Sequence, residues 1–259
     1  MRMKETSLVA VLVALLLPLG SQAQTPDFGG VWSRDSGTGG FPQSQWSDTE
    51  LPFTPLGRQV FDSNISGKGP RQQMPANGND PLGNANPPGL YRTLVYGRPW
   101  EIIQTGDKLV QVFEWGKHWR YIYTDGREVP ERIDSGPFWY GYSVGEWQGD
   151  TLVVQTLALD GRAWMDEWGT PFSDEARIEE RWTRADNNTL ELTITVTEPA
   201  LYSRPWTSVV KTYELQAPNA ISGQLYEQIF APIDEEEFNE RIRDPAASGT
   251  GIFTEDIGQ

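Results

Sequence analysis

Apolar and polar residues alternate in short runs along most of the chain after Arg92. In TLELTITVTE, residues 189–198, apolar residues at every second position are separated by Glu or Thr. A period of two is typical of a strand with one buried face. Similar runs, rich in Val, Ile, Thr, Tyr and Trp, are WEIIQT, KLVQVFEW, HWRYIYT, WYGYSVGEW, DTLVVQTLALD, RIEERWTR, SVVKTYELQ and SGQLYEQIF.

Turn residues join these runs into sequential hairpins. Gly106-Asp107, Gln148-Gly149 and Asp186-Asn187-Asn188 are of the types that reverse the chain between antiparallel strands. No helix long enough for a parallel crossover separates the runs. Because an open meander exposes two edges, the sequence predicts an all-β fold: an antiparallel meander of about ten strands, closed into a barrel over residues 92–233.

Residues 24–91 precede the barrel and are expected to belong to the same domain. They begin with a short strand, DFGGVW, and then lose apolar periodicity between residues 41 and 89, where Pro, Gly, Asn and Gln dominate. We expect this segment to be a loop that wraps over one end of the barrel. One helix is predicted at Thr54–Asn64, with Thr54 as its cap and Pro55 at its first position.

The first 23 residues have the features of an export signal. A basic start is followed by an apolar stretch from Leu8 to Leu19, and then by the small residues Ser21 and Ala23. We expect cleavage after Ala23 and a periplasmic or secreted bacterial protein; a retained signal anchor is the alternative. The apolar stretch is shorter than the roughly 20 residues that span a bilayer.

Residues 234–259 form an acidic C-terminal segment. Asp234 and Glu237 have the spacing of a capping box, which predicts a short helix followed by a tail. This helix start explains the acidic run IDEEEF without a metal site, because acidic side chains are favoured near a helix N-terminus.

Composition limits the chemistry that the chain can perform. It has no Cys and one His, which excludes disulfides and thiolate metal sites, and we expect neither a metal nor a cofactor. The net charge of −15 argues against binding nucleic acid or an anionic membrane. The eleven Trp residues suit binding surfaces, although they also fill wide β cores. The expected partner is a small molecule, and the oligomeric state is left open.

The alternation of RIEERWTR places Glu180 on the same face as Ile178 and Trp182. A carboxylate on an apolar face is costly unless it is paired, so Glu180 is a candidate catalytic residue. In the run HWRYIYT, residues 118–124, His118 and Arg120 share one face, while Trp119, Tyr121 and Tyr123 share the other. The pattern does not decide which of these faces points into the barrel.

Residues 159–177 interrupt the strands with charged and aromatic side chains in alternation, among them Asp160, Trp164, Asp166 and Trp168. Such a loop between two barrel strands is where a binding mouth is expected. A surface loop of salt bridges anchored by its Trp residues is the alternative.

Several segments resemble known proteins. DFGGVW resembles the G-x-W opening strand of the calycins, the superfamily of lipocalins and fatty-acid-binding proteins. GNDPLGN, RPWEIIQT, WYGYSVGEWQGDTLVVQT and SRPWT resemble a large group of exported bacterial proteins of uncharacterised function. The resemblance implies an exported, lipocalin-like barrel and no particular activity. Members often carry Cys where this chain has Ala85, and His-Pro-His-Ser where it has TPFS at residues 170–173, so a mechanism that needs those side chains is not implied.

Two functions fit these observations. The first is an exported barrel that binds an apolar, aromatic or carbohydrate molecule in an aromatic-lined pocket; the candidate binding residues are Trp115, Trp119, Arg120, Tyr123, Tyr140, Tyr142, Trp164 and Trp182. The second is an acid–base enzyme, such as a lyase, isomerase or glycosidase-like hydrolase, that uses pocket carboxylates and tyrosines. Its candidate catalytic residues are Glu180, His118, Glu114 and Asp160.

Overall fold

The computed structural model describes residues 25–34, 46–47, 49–67, 69, 71–74, 77–84 and 86–227. The predicted signal peptide and the predicted C-terminal helix lie outside these residues. Ten strands are described: β1 Gly30–Arg34, β2 Trp100–Gln104, β3 Lys108–Phe113, β4 Trp119–Tyr123, β5 Tyr142–Gln148, β6 Thr151–Leu157, β7 Arg177–Arg184, β8 Thr189–Thr197, β9 Trp206–Thr207 and β10 Lys211–Leu215. Two α-helices, α1 Pro55–Ser63 and α2 Leu90–Val95, precede β2.

Nine of these strands close into a barrel. Neighbours pair in order from β1 to β8, and β10 closes the ring by pairing with both β8 and β1. The two-residue β9 pairs with β8 outside the ring. The prediction of an all-β closed barrel is confirmed, and the barrel is compatible with a calycin-like fold.

One strand pair departs from the predicted antiparallel meander. β4 and β5 are parallel, with Ile122 opposite Ser143, so the barrel is mixed. The connection over residues 124–141 does not form a hairpin at Asp125-Gly126, and it brings the start of β5 beside the end of β4 in the same direction. The run SGQLYEQIF was also predicted to be a strand, which is wrong over its described part, where Ile221–Gly223 forms a 3-10 turn.

The two ends of the barrel differ, and we call them the turn end and the loop end. The turn end carries the short β2–β3, β5–β6 and β7–β8 turns, and it is closed by aromatic side chains: Phe28 packs edge-on against Trp147 at 5.0 Å, and the Arg184 guanidinium lies over Trp32 at 5.4 Å. The loop end carries the β3–β4, β6–β7 and β8–β9 connections, at residues 114–118, 158–176 and 198–205.

The helix α2 plugs the loop end. All six of its residues are buried, and the Leu94 carbonyl accepts a hydrogen bond of 3.0 Å from the Tyr213 hydroxyl inside the barrel. Arg92 fixes the helix to the preceding loop through a two-point ion pair with Asp80, at 2.7 and 2.8 Å. Burial on every side explains why α2 shows no amphipathic pattern in the sequence.

The helix α1 packs over the loop end as predicted, with Pro55 in its first turn and the Thr54 hydroxyl accepting from the Gly57 N–H at 3.0 Å. The Thr54 hydroxyl also donates to the Ala200 carbonyl at 2.7 Å, which ties the helix start to the β8–β9 connection. None of the described helices combines the length and the hydrophobicity needed to cross a membrane.

Candidate functional site

The centre of the barrel holds a buried carboxylate, Glu180, which is 0% exposed. Its Oε1 accepts from the Tyr91 hydroxyl at 2.9 Å, from Arg120 Nη2 at 2.8 Å and from the Thr156 hydroxyl at 3.0 Å. Its Oε2 accepts from Arg120 Nη1 at 3.0 Å and from the Trp182 indole at 2.9 Å. Five donors therefore surround a carboxylate that offers about four lone-pair positions.

Arg120 is equally well satisfied. Its Nε donates to the Ser143 hydroxyl at 2.9 Å, its Nη1 to Gln111 Oε1 at 3.1 Å, and its Nη2 to the Thr156 hydroxyl at 2.7 Å. Together with the two bonds to Glu180, these contacts use all five guanidinium N–H groups. Gln111 is the exception in this network, because its Nε2 finds no acceptor among the described residues.

This network fills the space where a barrel cavity was expected. Tyr91, Gln111, Arg120, Ser143 and Thr156 are each at most 2% exposed, so the network is shielded from bulk solvent. The pKa of Tyr91 is raised well above its usual value, mainly by burial and to a smaller degree by the adjacent Glu180 carboxylate. Its hydroxyl therefore stays protonated and donates. Glu180, Arg120 and Trp182 thus lie together, as a packed ionic core.

The strand faces left open by the sequence are now assigned. On β3, Leu109, Gln111 and Phe113 are buried, and on β4 Arg120 and Ile122 are buried. Trp119 and Tyr121 on β4 therefore face outward, with exposures of 59% and 43%.

His118 lies at the loop end, directly after the 3-10 turn Trp115–Lys117. Its ring packs against Tyr140, with ring centres 5.0 Å apart, and the Tyr140 hydroxyl lies 3.2 Å from the Thr93 hydroxyl on α2. Burial lowers the pKa of His118 below its usual value and raises that of Tyr140. At neutral pH the imidazole is therefore uncharged, and the phenol is protonated.

The two remaining candidate carboxylates have separate partners. Glu114 is buried at the loop end, where its Oε2 accepts from the Tyr226 backbone N–H at 3.0 Å. Asp160 is buried beside Arg162, which donates to it at 2.5 and 2.9 Å, and this pairing lowers the pKa of Asp160. The structure brings together His118 and Tyr140, and it gives Glu180, Glu114 and Asp160 different surroundings.

The aromatic candidates divide among three locations. Trp182 lies in the core, where its ring is 5.6 Å from Trp100 and 5.8 Å from Tyr213. At the loop end, Trp115 stacks on Tyr96 at 4.2 Å and Trp164 is buried. On the outer wall lie Trp119, Tyr123 and Tyr142.

The outer-wall tyrosines are held in place by a charged pair. The Arg127 guanidinium lies 3.6 Å from the Tyr123 ring centre and donates to the Tyr142 hydroxyl at 3.1 Å. Asp125 in turn accepts two hydrogen bonds from Arg127, at 2.6 and 2.8 Å. These rings therefore have partners on the barrel surface and do not line an interior pocket.

An aromatic cleft lies at the loop end, between the segment 46–61 and the loop 166–170. Its volume is about 160 Å³. It is lined by Trp46, Ser47, Thr49, Glu50, Leu51, Phe53, Arg58, Phe61, Asp166, Trp168 and Thr170. The sequence indicated Asp166 and Trp168 through the charged and aromatic loop after β6. It did not indicate Trp46, Phe53 or Phe61, whose only signal is that they are bulky aromatic residues in a polar, loop-like segment.

Hydrogen bonds connect one wall of this cleft, the loop 166–170, to the chain that follows α1. Asn64 Nδ2 donates to the Gly169 carbonyl at 2.9 Å, and Arg71 Nη2 donates to the Trp168 carbonyl at 2.8 Å. The Ser66 hydroxyl donates to the Glu167 carbonyl at 2.5 Å. These side-chain bonds to backbone carbonyls fix the position of one wall of the cleft, as is usual for largely preformed small-molecule sites.

A second cleft, of about 300 Å³, lies between the β4–β5 connection and the start of β7. It is lined largely by charged side chains: Glu131, Arg132, Asp134, Asp174, Glu175 and Arg177. Its lining does not match the expected aromatic pocket. Among the described residues, no three His, Cys, Asp or Glu side chains are grouped in a way that could hold a metal ion.

Comparisons with known proteins add no family to this description. The sequence matches no protein-family model and no curated protein. Function has to be inferred from the geometry of the chain itself.

Proposed function

We propose that this protein is an exported binding protein that holds one small, single-ring molecule in the aromatic cleft at the loop end of its barrel. The observation that carries the proposal is the lining of this cleft: Trp46, Phe53, Phe61 and Trp168 surround it, with Asp166 and Thr170 as buried polar groups. Apolar walls with a few placed polar groups are typical of small-molecule sites.

The size of the cleft limits the ligand. Its volume is about 160 Å³, and a cavity of about 150 Å³ accommodates one benzene molecule. The cleft therefore has room for a single six-membered ring. A larger molecule would extend past Glu50 and Arg58, two exposed charged side chains that form an ion pair at the rim. An apolar, aromatic or carbohydrate ring meets this size limit.

The acid–base alternative is supported by one observation. His118 is uncharged at neutral pH and packs against Tyr140, which places two groups capable of proton transfer side by side. Neither residue lines the aromatic cleft, so under this alternative the substrate binds beside His118 and Tyr140. Full turnover of such a substrate by a His118→Gln variant contradicts the alternative.

Export is part of the proposal and rests on residues 1–23. The full-length sequence should be expressed in a Gram-negative host, and the protein should be recovered from the periplasm with Gln24 as its N-terminal residue. Recovery with Met1 intact from the membrane fraction would favour the signal anchor instead.

The binding experiment uses this mature protein and three single-ring probes: phenol, anisole and methyl β-glucoside. We expect at least one to change Trp fluorescence saturably and to raise the melting temperature. Trp168→Ala should weaken this binding at least tenfold, because it removes one wall of the cleft. The control Trp119→Ala, on the exposed outer wall, should bind as the wild type does. Failure of all three probes, or equal binding by the Trp168→Ala variant, overturns the proposal.

A further inference from the structure

Three of the four rings that line the cleft already have neighbours over their faces. Phe53 is the middle ring of a stack, with Phe61 at 5.1 Å and Tyr202 at 5.3 Å and interplanar angles of 22° and 26°. The Arg71 guanidinium lies 3.8 Å from the Phe61 ring centre. The Lys211 ammonium lies 5.0 Å from the ring centre of Trp46. Phe53 and Phe61 therefore offer their edges to a ligand, and one face of Trp46 is covered.

Ring edges select the kind of ligand. An aromatic ring is electron-poor at its edge and electron-rich on its face, so an edge packs favourably against the face of another aromatic ring. A sugar has no π face, and its stacking needs a free ring face in the protein. An organic cation also needs free ring faces, but Arg58, Arg71 and Lys211 already lie over these rings. The Phe53 and Phe61 wall of the cleft therefore favours a neutral aromatic ring.

Asp166 favours a ligand that carries a hydrogen-bond donor. Its Oδ1 accepts from the backbone N–H groups of Trp168 and Thr170, at 2.8 and 3.1 Å, and its Oδ2 accepts from the Thr170 hydroxyl at 2.6 Å. A carboxylate has about four acceptor positions, and these three bonds leave one of them, on Oδ2, unused in a side chain that lines the cleft. A ligand with an O–H or N–H group can use it.

We infer that the ligand of this cleft is a neutral monocyclic aromatic compound that carries one hydrogen-bond donor, such as a phenolic hydroxyl. This inference rests on the proposed function and narrows its ligand class. The ring packs its face against the edges of Phe53 and Phe61, and its donor bonds to Asp166 Oδ2. Phenol fits this description and is uncharged at pH 7, since phenolic groups ionise near pH 10.

The test compares phenol with anisole, which keeps the ring and the oxygen but has no donor. We expect phenol to bind at least tenfold more tightly than anisole, because a hydrogen bond to a charged acceptor is among the stronger ones. Methyl β-glucoside, which has donors but no π face, should bind more weakly than phenol. Dissociation constants are measured by Trp fluorescence at pH 7.

Two variants assign the donor contact. In Asp166→Asn the preference for phenol over anisole should fall below threefold, whereas it should be kept in Asp107→Asn, a matched change in the exposed β2–β3 turn at the other end of the barrel. If the Asp166→Asn variant does not fold, the phenol and anisole constants of the wild type still decide the inference.

Equal affinity for phenol and anisole overturns this inference, as does tighter binding of the glucoside. In both cases the proposed binding function stands. Absence of binding by all three probes overturns the proposed function as well.

Discussion

Glu180 joins three strands of the barrel to the helix α2. It lies on β7 and is bonded to side chains of α2, β4 and β6. Removing one partner of a buried ion pair leaves the other charge uncompensated, which costs about 3–5 kcal/mol. In Glu180→Gln, the new amide would also direct its N–H groups at donors of Arg120 or Trp182.

We therefore expect Glu180→Gln to lower the free energy of unfolding by at least about 3 kcal/mol, measured by urea denaturation. The matched control is Glu179→Gln, one residue earlier on the opposite face, where the carboxylate is partly exposed and bonded to Gln155. The control should change stability by less than about 0.5 kcal/mol. If both variants unfold at the same urea concentration, the buried network does not stabilise the barrel.

At the scale of elements, α1 connects the barrel to the cleft. Gly57 is buried against the Leu201 backbone, and a Cβ there would lie 1.9 Å from the Leu201 carbonyl oxygen. Gly57→Ala therefore has to push the helix outward. Because α1 carries Arg58 and Phe61, two lining residues, this shift should distort the cleft.

We expect Gly57→Ala to weaken phenol binding at least tenfold and to destabilise the protein by about 1–3 kcal/mol, the usual cost of overpacking. Leu56→Ala is the control, because the Leu56 side chain is 51% exposed on the same helix. It should bind phenol as the wild type does. Wild-type affinity in Gly57→Ala would show that the position of α1 does not shape the site.

The elements differ in how well the sequence predicts them. The alternation of TLELTITVTE and the Thr54-Pro55 start indicate β8 and α1, because in both cases the signal is local. The six-residue α2 is too short for a periodic signal, and it is apolar on most sides because it is buried on all of them. The parallel pairing of β4 with β5 depends on the course of residues 124–141, which no local pattern describes.

At the scale of the whole molecule, the sequence predicts the closed barrel but not what fills it. An inward face such as Ile178, Glu180 and Trp182 has the same pattern whether it borders a cavity or packs against a plug. The distinction depends on α2, which enters the barrel and places Tyr91 on Glu180. The cleft joins segments about 100 residues apart in the chain, so its aromatic lining could not be recognised as one site from sequence spacing.

The pH dependence of the stability of the whole molecule is also affected by its single histidine. Burial lowers the pKa of His118 below its ordinary value of 6.5. As the pH falls below 6.5, the unfolded chain takes up a proton that the folded chain does not yet bind, so the equilibrium shifts toward unfolding. The contribution of neutral His118 is fully present above pH 6.5 and is lost as the pH falls through the lowered pKa.

His118→Gln isolates this contribution, because Gln stays neutral while the many carboxylates titrate alike in both proteins. We expect the wild type to lose free energy of unfolding relative to His118→Gln as the pH falls from about 6.5 to about 5. Above about pH 7.5, the difference in free energy of unfolding between the two proteins should be constant. Urea denaturation across this range measures it. Parallel curves at every pH would mean that the imidazole titrates as it does in the unfolded chain, and that its contact with Tyr140 does not keep it neutral.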